Sequence, residues 1–220
     1  MKIEKAKLYS SPYIGVFSIV TETTALLPLQ TESRTVKVFE KTLGVKVVKT
    51  SFSSSPLLGV FGSGNSKGIV VSGLVEKSEI KELEKNGLNV MKLKSILAIG
   101  NLMKMNDSHG VCSSLISKKD MRNIEKKLGI VMENQTIAKT DLVGSCMELT
   151  NKGFIVNPRI SEKEFEKLEK NFKLRGVAST ANYGDGFVGN SVVANSNGAI
   201  VGELTSGHEL VRIDEGLRGE

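Results

Sequence analysis

The 220 residues predict an α/β protein made of five copies of one small βα unit, closed into a ring with fivefold pseudosymmetry like a propeller. Three observations predict it. An apolar-Gly pair recurs at a near-constant step. An amphipathic helix stands in one register behind every pair. The two chain ends are complementary halves of one unit. The pairs are Ile14-Gly15, Leu58-Gly59, Ile99-Gly100, Val143-Gly144 and Val188-Gly189, with Gly-to-Gly steps of 44, 41, 44 and 45 residues. Self-similarity at a period of this size marks an array of supersecondary units.

The elements follow in order from each Gly. A first strand is expected directly after it, over 16–20, 60–62, 102–105, 145–149 and 191–194. A turn comes next, as in Gly64-Asn65-Ser66-Lys67-Gly68 and Asn195-Ser196-Asn197-Gly198. Its residues tolerate positive φ and suit hairpin loops. A second strand is expected over 25–27, 69–71, 111–113, 154–156 and 199–201. Then comes the helix. Val36, Ile80, Met121, Phe165 and Leu210 stand 21 residues after their Gly, and Phe39, Leu83, Ile124, Leu168 and Ile213 three further on. Four beyond those lie Leu43, Gly87, Leu128, Phe172 and Leu217. The i, i+3, i+7 spacing is one face of a helix. Each stripe alone is an ordinary core-facing helix; the register shared by all five makes the repeat. Ser161 with Glu164, and more loosely Ser117 with Asp120, fit a capping box, and Gly44, Gly87 and Gly129 mark helix ends.

A third strand closes each unit over 45–49, 88–93, 130–135 and 174–179, but none follows the last helix. Residues 189–220 supply 32 positions of a repeat and residues 1–14 supply 14 more, with 2–8 in the place of the third strand. The reading is a single domain, 1–220, with units 15–58, 59–99, 100–143, 144–188 and 189–220 completed by 1–14. An open solenoid is the competing architecture, but solenoids carry polar capping units at their ends. Here the ends are two halves of one unit.

Hydrophobic content of 40% and charged content of 25% suit a soluble globular chain. No stretch approaches the roughly 18 apolar residues of a membrane span, and no signal peptide pattern opens the chain. A cytoplasmic protein with no membrane partner is expected. The net charge of +6 gives a moderate attraction to polyanions, although most Lys falls in mixed Glu/Lys helices such as 79–85 and 162–170. Aromatics are 5% and Trp is absent, so base-stacking platforms are not indicated. Cys112 and Cys146 have neither CxxC spacing nor a His cluster beside them. Both read as buried hydrophobes; no zinc site and no cofactor is expected.

Several segments together resemble one known family. They are Ile14-Gly15-Val16-Phe17 with Val20-Thr21, Gly64-Asn65-Ser66-Lys67-Gly68, Leu97-Ala98-Ile99-Gly100-Asn101 with Asn106-Asp107, and Gln135-Thr136-Ile137-Ala138. Leu142-Val143-Gly144-Ser145, Leu149-Thr150-Asn151-Lys152-Gly153, Val177-Ala178-Ser179-Thr180-Ala181-Asn182 and Val192-Val193-Ala194-Asn195 continue the match over nearly the whole chain. The pattern resembles the archaeal and eukaryotic translation initiation factor six family, the ribosome anti-association factors, and the ring resembles the pentein fold. The resemblance implies a monomer that binds the large (50S) ribosomal subunit and sterically blocks the small one. Its implied contacts are a ribosomal protein of the uL14 type, a neighbouring protein and rRNA near the sarcin–ricin loop. It also implies a part in large-subunit biogenesis.

The same resemblance implies a binding face around the ring axis, carried onto Gly15, Gly59, Val60, Gly100, Asn101, Gly144, Ser145, Gly189 and Asn190. Asn101 matches a polar contact position of the family. Val60 departs from the basic residue of eukaryotic members. The five Gly residues also suit a crowded axis or positive φ. Asn190 and Ser145 equally suit turns.

Two other functions remain open on sequence. The pentein fold also hosts guanidine-modifying enzymes with a Cys nucleophile, a His and acidic residues in the central channel. Here the assignable axis positions are Gly, Asn and Ser, with no guanidinium-binding carboxylate, and His109 and His208 read as turn and helix-end residues. A scaffold for a non-ribosomal protein partner is the third reading.

Overall fold

The computed structural model describes residues 1–95 and 97–219. The chain opens with β1 (Lys2–Ala6). The first unit then holds a single helical turn α1 (Ile14–Phe17), hairpin strands β2 (Ile19–Val20) and β3 (Thr24–Pro28), helix α2 (Ser33–Leu43) and strand β4 (Lys46–Thr50). The second runs α3 (Leu58–Phe61), β5 (Gly62–Asn65), β6 (Gly68–Val71), α4 (Lys77–Lys85), β7 (Val90–Lys92). The third runs α5 (Ile99–Leu102), β8 (Met103–Met105), β9 (His109–Cys112), α6 (Lys118–Leu128), β10 (Val131–Asn134). The fourth has β11 (Met147–Leu149), β12 (Phe154–Val156), α7 (Glu162–Phe172) and β13 (Gly176–Ala178), and the fifth α8 (Val188–Ser191), β14 (Val192–Ala194), β15 (Gly198–Gly202) and α9 (Gly207–Arg218).

One expectation needs correcting. In four units the residues around the Gly form a helical turn, and in the fourth a hydrogen-bonded turn, before the first strand begins. The expected first strands at 16–20, 60–62, 102–105, 145–149 and 191–194 therefore start one to three residues too early. Ile-Gly-Val-Phe is β-prone by composition, and one turn of helix is too short to show a 3.6-residue period.

Among the described residues the strands form five three-stranded sheets, each an antiparallel hairpin with a third strand added in parallel. The first strands β2, β5, β8, β11 and β14 stand side by side around an axis, and β14 lies next to β2. The ring is closed. The opening strand β1 pairs with β15, running from Lys2 opposite Gly198 to Ala6 opposite Gly202. Lys46 lies opposite Thr24 in the first unit in the equivalent register. The chain's first residues thus take the third-strand place in its last sheet, and an open array is ruled out. The two ends are further tied by an ion pair between the Met1 ammonium and Asp214 of α9.

Each helix lies in the wedge between two sheets. Phe39 and Leu43 of α2 pack with Leu27 of the first sheet and with Val193 and Ile200 of the fifth. Leu83 of α4 does the same between the first and second sheets, and Ile213 and Leu217 of α9 between the fourth and fifth. A unit therefore shares its core with its neighbours. At the hairpin end of the axis, side-chain amides lace the units together. Asn65 donates to the Asn106 carbonyl at 2.9 Å and Asn106 to that of Thr150 at 2.9 Å. Asn195 donates to Thr21 at 3.2 Å, across the join of the fifth unit and the first.

The helix starts are anchored by carboxylates. Glu79, Glu164 and Glu209 each take the N-cap backbone N–H of their own helix, at 3.0, 3.0 and 2.7 Å. Each also holds the tight turn that follows the preceding third strand, a second role not read from the sequence. Burial alone would raise the Glu209 carboxyl. Hydrogen bonds from the Ser206 and Gly184 backbone and from the Thr180 and Ser206 hydroxyls outweigh it and hold the pKa down, to about 2.

Two outcomes are expected. Deleting residues 1–8 strips the parallel partner from β15 and removes Ala6 and Leu8 from the core, so calorimetry will show a large drop in melting temperature and loss of a single cooperative transition. The wild-type stability advantage over Glu209→Gln, measured by urea unfolding, will be complete at neutral pH. Because the folded carboxyl titrates below an unfolded value of roughly 4.3, that advantage will fade as pH falls through the window down to the folded pKa.

Candidate functional site

At one end of the axis the five Gly residues form a closed staircase. A β-carbon on Gly59 would overlap the Gly15 carbonyl oxygen, one on Gly100 that of Gly59, and one on Gly144 that of Gly100. One on Gly189 would overlap the Gly144 oxygen, and one on Gly15 that of Gly189, which completes the circle. None of the five has positive φ. Close approach of one backbone to the next is what requires glycine here. The Gly144 N–H donates to the Asn101 carbonyl and the Gly189 N–H to that of Ser145, both at 2.9 Å.

The structure brings together all nine residues named for the binding face. Gly15, Gly59, Gly100, Gly144, Gly189, Asn101 and Asn190 line the mouth of an axial cavity of about 30 Å³. Asn101, Asn190 and Val60 are half-buried one residue beyond their Gly, whereas Ser145, at the same register, is buried. Ser145 is thereby a packing group whose side chain is hidden from that face.

The residues two before each Gly were missed. They are Tyr13, Leu57, Ala98, Leu142 and Phe187, a set that is apolar in every unit. Tyr13 is 42% exposed, Leu142 39% and Phe187 36%, while Leu57 and Ala98 are half-buried. With the half-buried Val16 and Val60 they put apolar, at least partly exposed side chains beside every step of the staircase. Surface of this kind, when clustered, marks a contact site for another macromolecule. The signal lay in the same register that gave the helices, read two residues upstream of the Gly.

Deeper in the channel the expectation of a carboxylate-free axis fails. Glu148 of β11 is buried at the axis, and Lys104 of β8 donates to it at 2.7 Å. Burial pushes the Glu148 carboxyl up, the Lys104 ammonium pulls it back, and the Ala194 N–H adds a contact at 3.3 Å. A cavity of this size accommodates about one or two waters and no guanidine substrate. Cys112 and Cys146 are both fully buried, and burial raises each thiol to about 11, away from the thiolate a nucleophile needs.

The staircase end of the ring thus combines a circle of close backbone contacts with apolar side chains at its rim, and both thiols lie buried away from it. The eIF-6 family model matches residues 3–216, and the chain belongs to that family. It is 36% identical to Translation initiation factor 6 of Pyrococcus horikoshii, with 99% of each chain covered. It is 35% identical to Translation initiation factor 6 of Thermoplasma acidophilum, over 98% of this chain and 99% of that one. Among solved structures it is similar to a DDAH from Pseudomonas aeruginosa complexed with citrulline, with TM-score 0.43, 14% identity, and 94% and 73% coverage of the two chains. An agmatine deiminase from C. jejuni gives TM-score 0.37, 13% identity and 55% and 49% coverage. The family and the relatives' names support a role in translation. Among the described residues no helix is long and apolar enough to cross a membrane.

The staircase predicts that Gly100→Ala destabilises the fold by at least about 3 kcal/mol, because backbone, not a flexible side chain, occupies the space. Asn101→Lys, at a half-buried position, will leave the melting temperature within a few degrees of wild type.

Proposed function

We propose that this chain binds the large (50S) ribosomal subunit through the staircase end of the ring and thereby prevents joining of the small subunit. The observation that carries the proposal is the ring of exposed apolar side chains, Tyr13, Leu142 and Phe187 above all, around Asn101 and Asn190, in a member of a translation-factor family. The binding residues proposed are Gly15, Gly59, Val60, Gly100, Asn101, Gly144, Gly189 and Asn190, with Ser145 as a buried support. The Gly residues let the face lie flat, and the asparagines supply hydrogen bonds. The partner is a protein of the uL14 type with its neighbour, and rRNA near the sarcin–ricin loop.

The mechanism is occlusion and needs no chemistry. One rigid monomeric domain covers part of the joining surface. A surface that is already ordered loses little conformational entropy on docking, so more of the contact energy appears as affinity. A part in large-subunit biogenesis and a cytoplasmic location follow from the same reading.

Sedimentation through sucrose gradients with purified subunits tests it. The wild type will travel with the large subunit alone and lower the yield of joined ribosomes. Asn101→Lys, and separately Tyr13→Asp with Phe187→Asp, will weaken co-sedimentation by about tenfold or more, in line with central aromatic anchors. Binding to neither subunit would sink the proposal in favour of a scaffold for another partner.

A further inference from the structure

The first unit breaks a pattern that three of the others keep. In the second, fourth and fifth units the glutamate at the third helical position closes the corner between helix and incoming turn. Glu79 accepts from the backbone of Glu76, Ser53 and Ser54 at 3.0, 2.7 and 3.0 Å, and from the Ser51 hydroxyl at 2.8 Å. Glu164 accepts from Ser161 N–H and the Thr136 hydroxyl, each at 3.0 Å. Glu209 accepts from Ser206, Tyr183 and Gly184 N–H and from the Thr180 hydroxyl.

At the equivalent place in the first unit stands Thr35, and Lys7 takes the place of the Ser or Thr hydroxyl. The turn itself is unchanged: Tyr9 and Ser10 have positive φ of 51° and 57°, as Ser53 and Ser54 have 55° and 58°. The backbone N–H groups of Tyr9, Ser10 and Glu32 have no acceptor among the described residues. Helix α2 has no side-chain cap. The Thr31 hydroxyl, in a residue 6% exposed, is also unpartnered, whereas its counterpart Thr205 bonds Asn182. Lys7, Tyr9, Ser10, Glu32 and Thr35 line one cleft of about 760 Å³, and Thr31 borders it with its hydroxyl turned away from solvent.

We propose that this cleft binds an acidic side chain of a partner protein, whose carboxylate docks on the Tyr9, Ser10 and Glu32 N–H groups beside Lys7. The internal glutamates show which ion suits the corner. The wider cleft argues against a polyanion such as RNA: Lys5, Lys7 and Arg34 are matched by Glu4, Glu32 and Glu203, and Lys7 already lies 3.3 Å from Glu203. Its volume exceeds one side chain, and residues 4–10 run along it from the outer edge strand of the sheet, which leaves room for an extended segment. No residue of this cleft belongs to the staircase or its rim, and the proposal does not rest on the ribosomal reading.

Amide NMR titration tests it, with acetyl-Ala-Glu-Ala-amide as the probe. Saturable shifts are expected at Tyr9, Ser10 and Glu32, with the Gln peptide weaker by about tenfold, since a charged acceptor bonds N–H more strongly than a neutral one. Thr35→Glu supplies the carboxylate internally; it will abolish the titration and raise the melting temperature. Lys7→Gln, at an exposed position, will weaken binding and decides the matter should the Thr35 variant misfold. Static amides, undiminished binding in either folded variant, or inorganic phosphate or acetate binding as tightly as the Glu peptide would overturn the proposal.

Discussion

The close approach of backbone to backbone at the axis is the constraint on which the rest of the molecule depends. Five glycine α-carbons rest on five carbonyl oxygens in a circle, each contact made by one unit on the next. A β-carbon anywhere in the circle would push two units apart. Because the sheets meet at the axis, they must splay outward, and the splay opens a wedge between each pair. The helices fill these wedges, which is why their buried faces are similar from unit to unit: Phe39 and Leu43, Ile124 and Leu128, Leu168 and Phe172, Ile213 and Leu217. Narrow apolar stripes on otherwise charged helices suffice, since the outer face of each helix is left to water.

Sharing of cores explains why the ring has to close. A unit alone would expose both sides of its sheet, and a four-unit array would leave two open wedges. Closure by β1 buries the last of them and gives β15 a second partner. It also removes an open seam between first and last units at which another chain could pair. The cost is topological. The final sheet needs residues from both ends of the chain, so its contacts have the longest sequence separation in the protein, and they impose the largest loop-closure entropy.

Much of this was legible in the sequence because the fivefold register averages out local noise. Helix anchors at a fixed distance behind each Gly gave the helices and, with the short last unit, gave the closure. What escaped did so for physical reasons. The turns at the staircase are four residues long, below the length at which helical period can be told from strand. Glu148 reads as one more polar residue in a strand, and only the ring geometry places it on the axis beside Lys104. The apolar collar is spread over five units, one residue from each, and becomes a surface only when the ring is closed. The glycines of the proposed binding face were legible as a set, but sequence left both crowding and positive φ as reasons for them. The backbone contacts around the axis, with no positive φ at any of the five, show that it is crowding.

In a ring of repeats, what the units share is the fold's requirement, and what one unit alone does is a candidate for function. The glycine and the helix anchors are shared, and their loss will cost stability. Asn101 and Asn190 share a register with Val16 and Val60, and the fold tolerates either kind of side chain there. Their difference has no structural demand behind it and is therefore free to serve recognition. The same logic applies to Thr35 and Lys7. Three units show that the corner is satisfied by glutamate with a hydroxyl, so the first unit forgoes a stabilising cap that one substitution would supply. Natural sequences shed such interactions readily when nothing selects for them, but here the replacement of two partners of one corner, together with an unpartnered buried hydroxyl and an open cleft, concentrates the departures in one place. Local inconsistency in an otherwise consistent repeat is where binding energy from outside the chain has something left to satisfy.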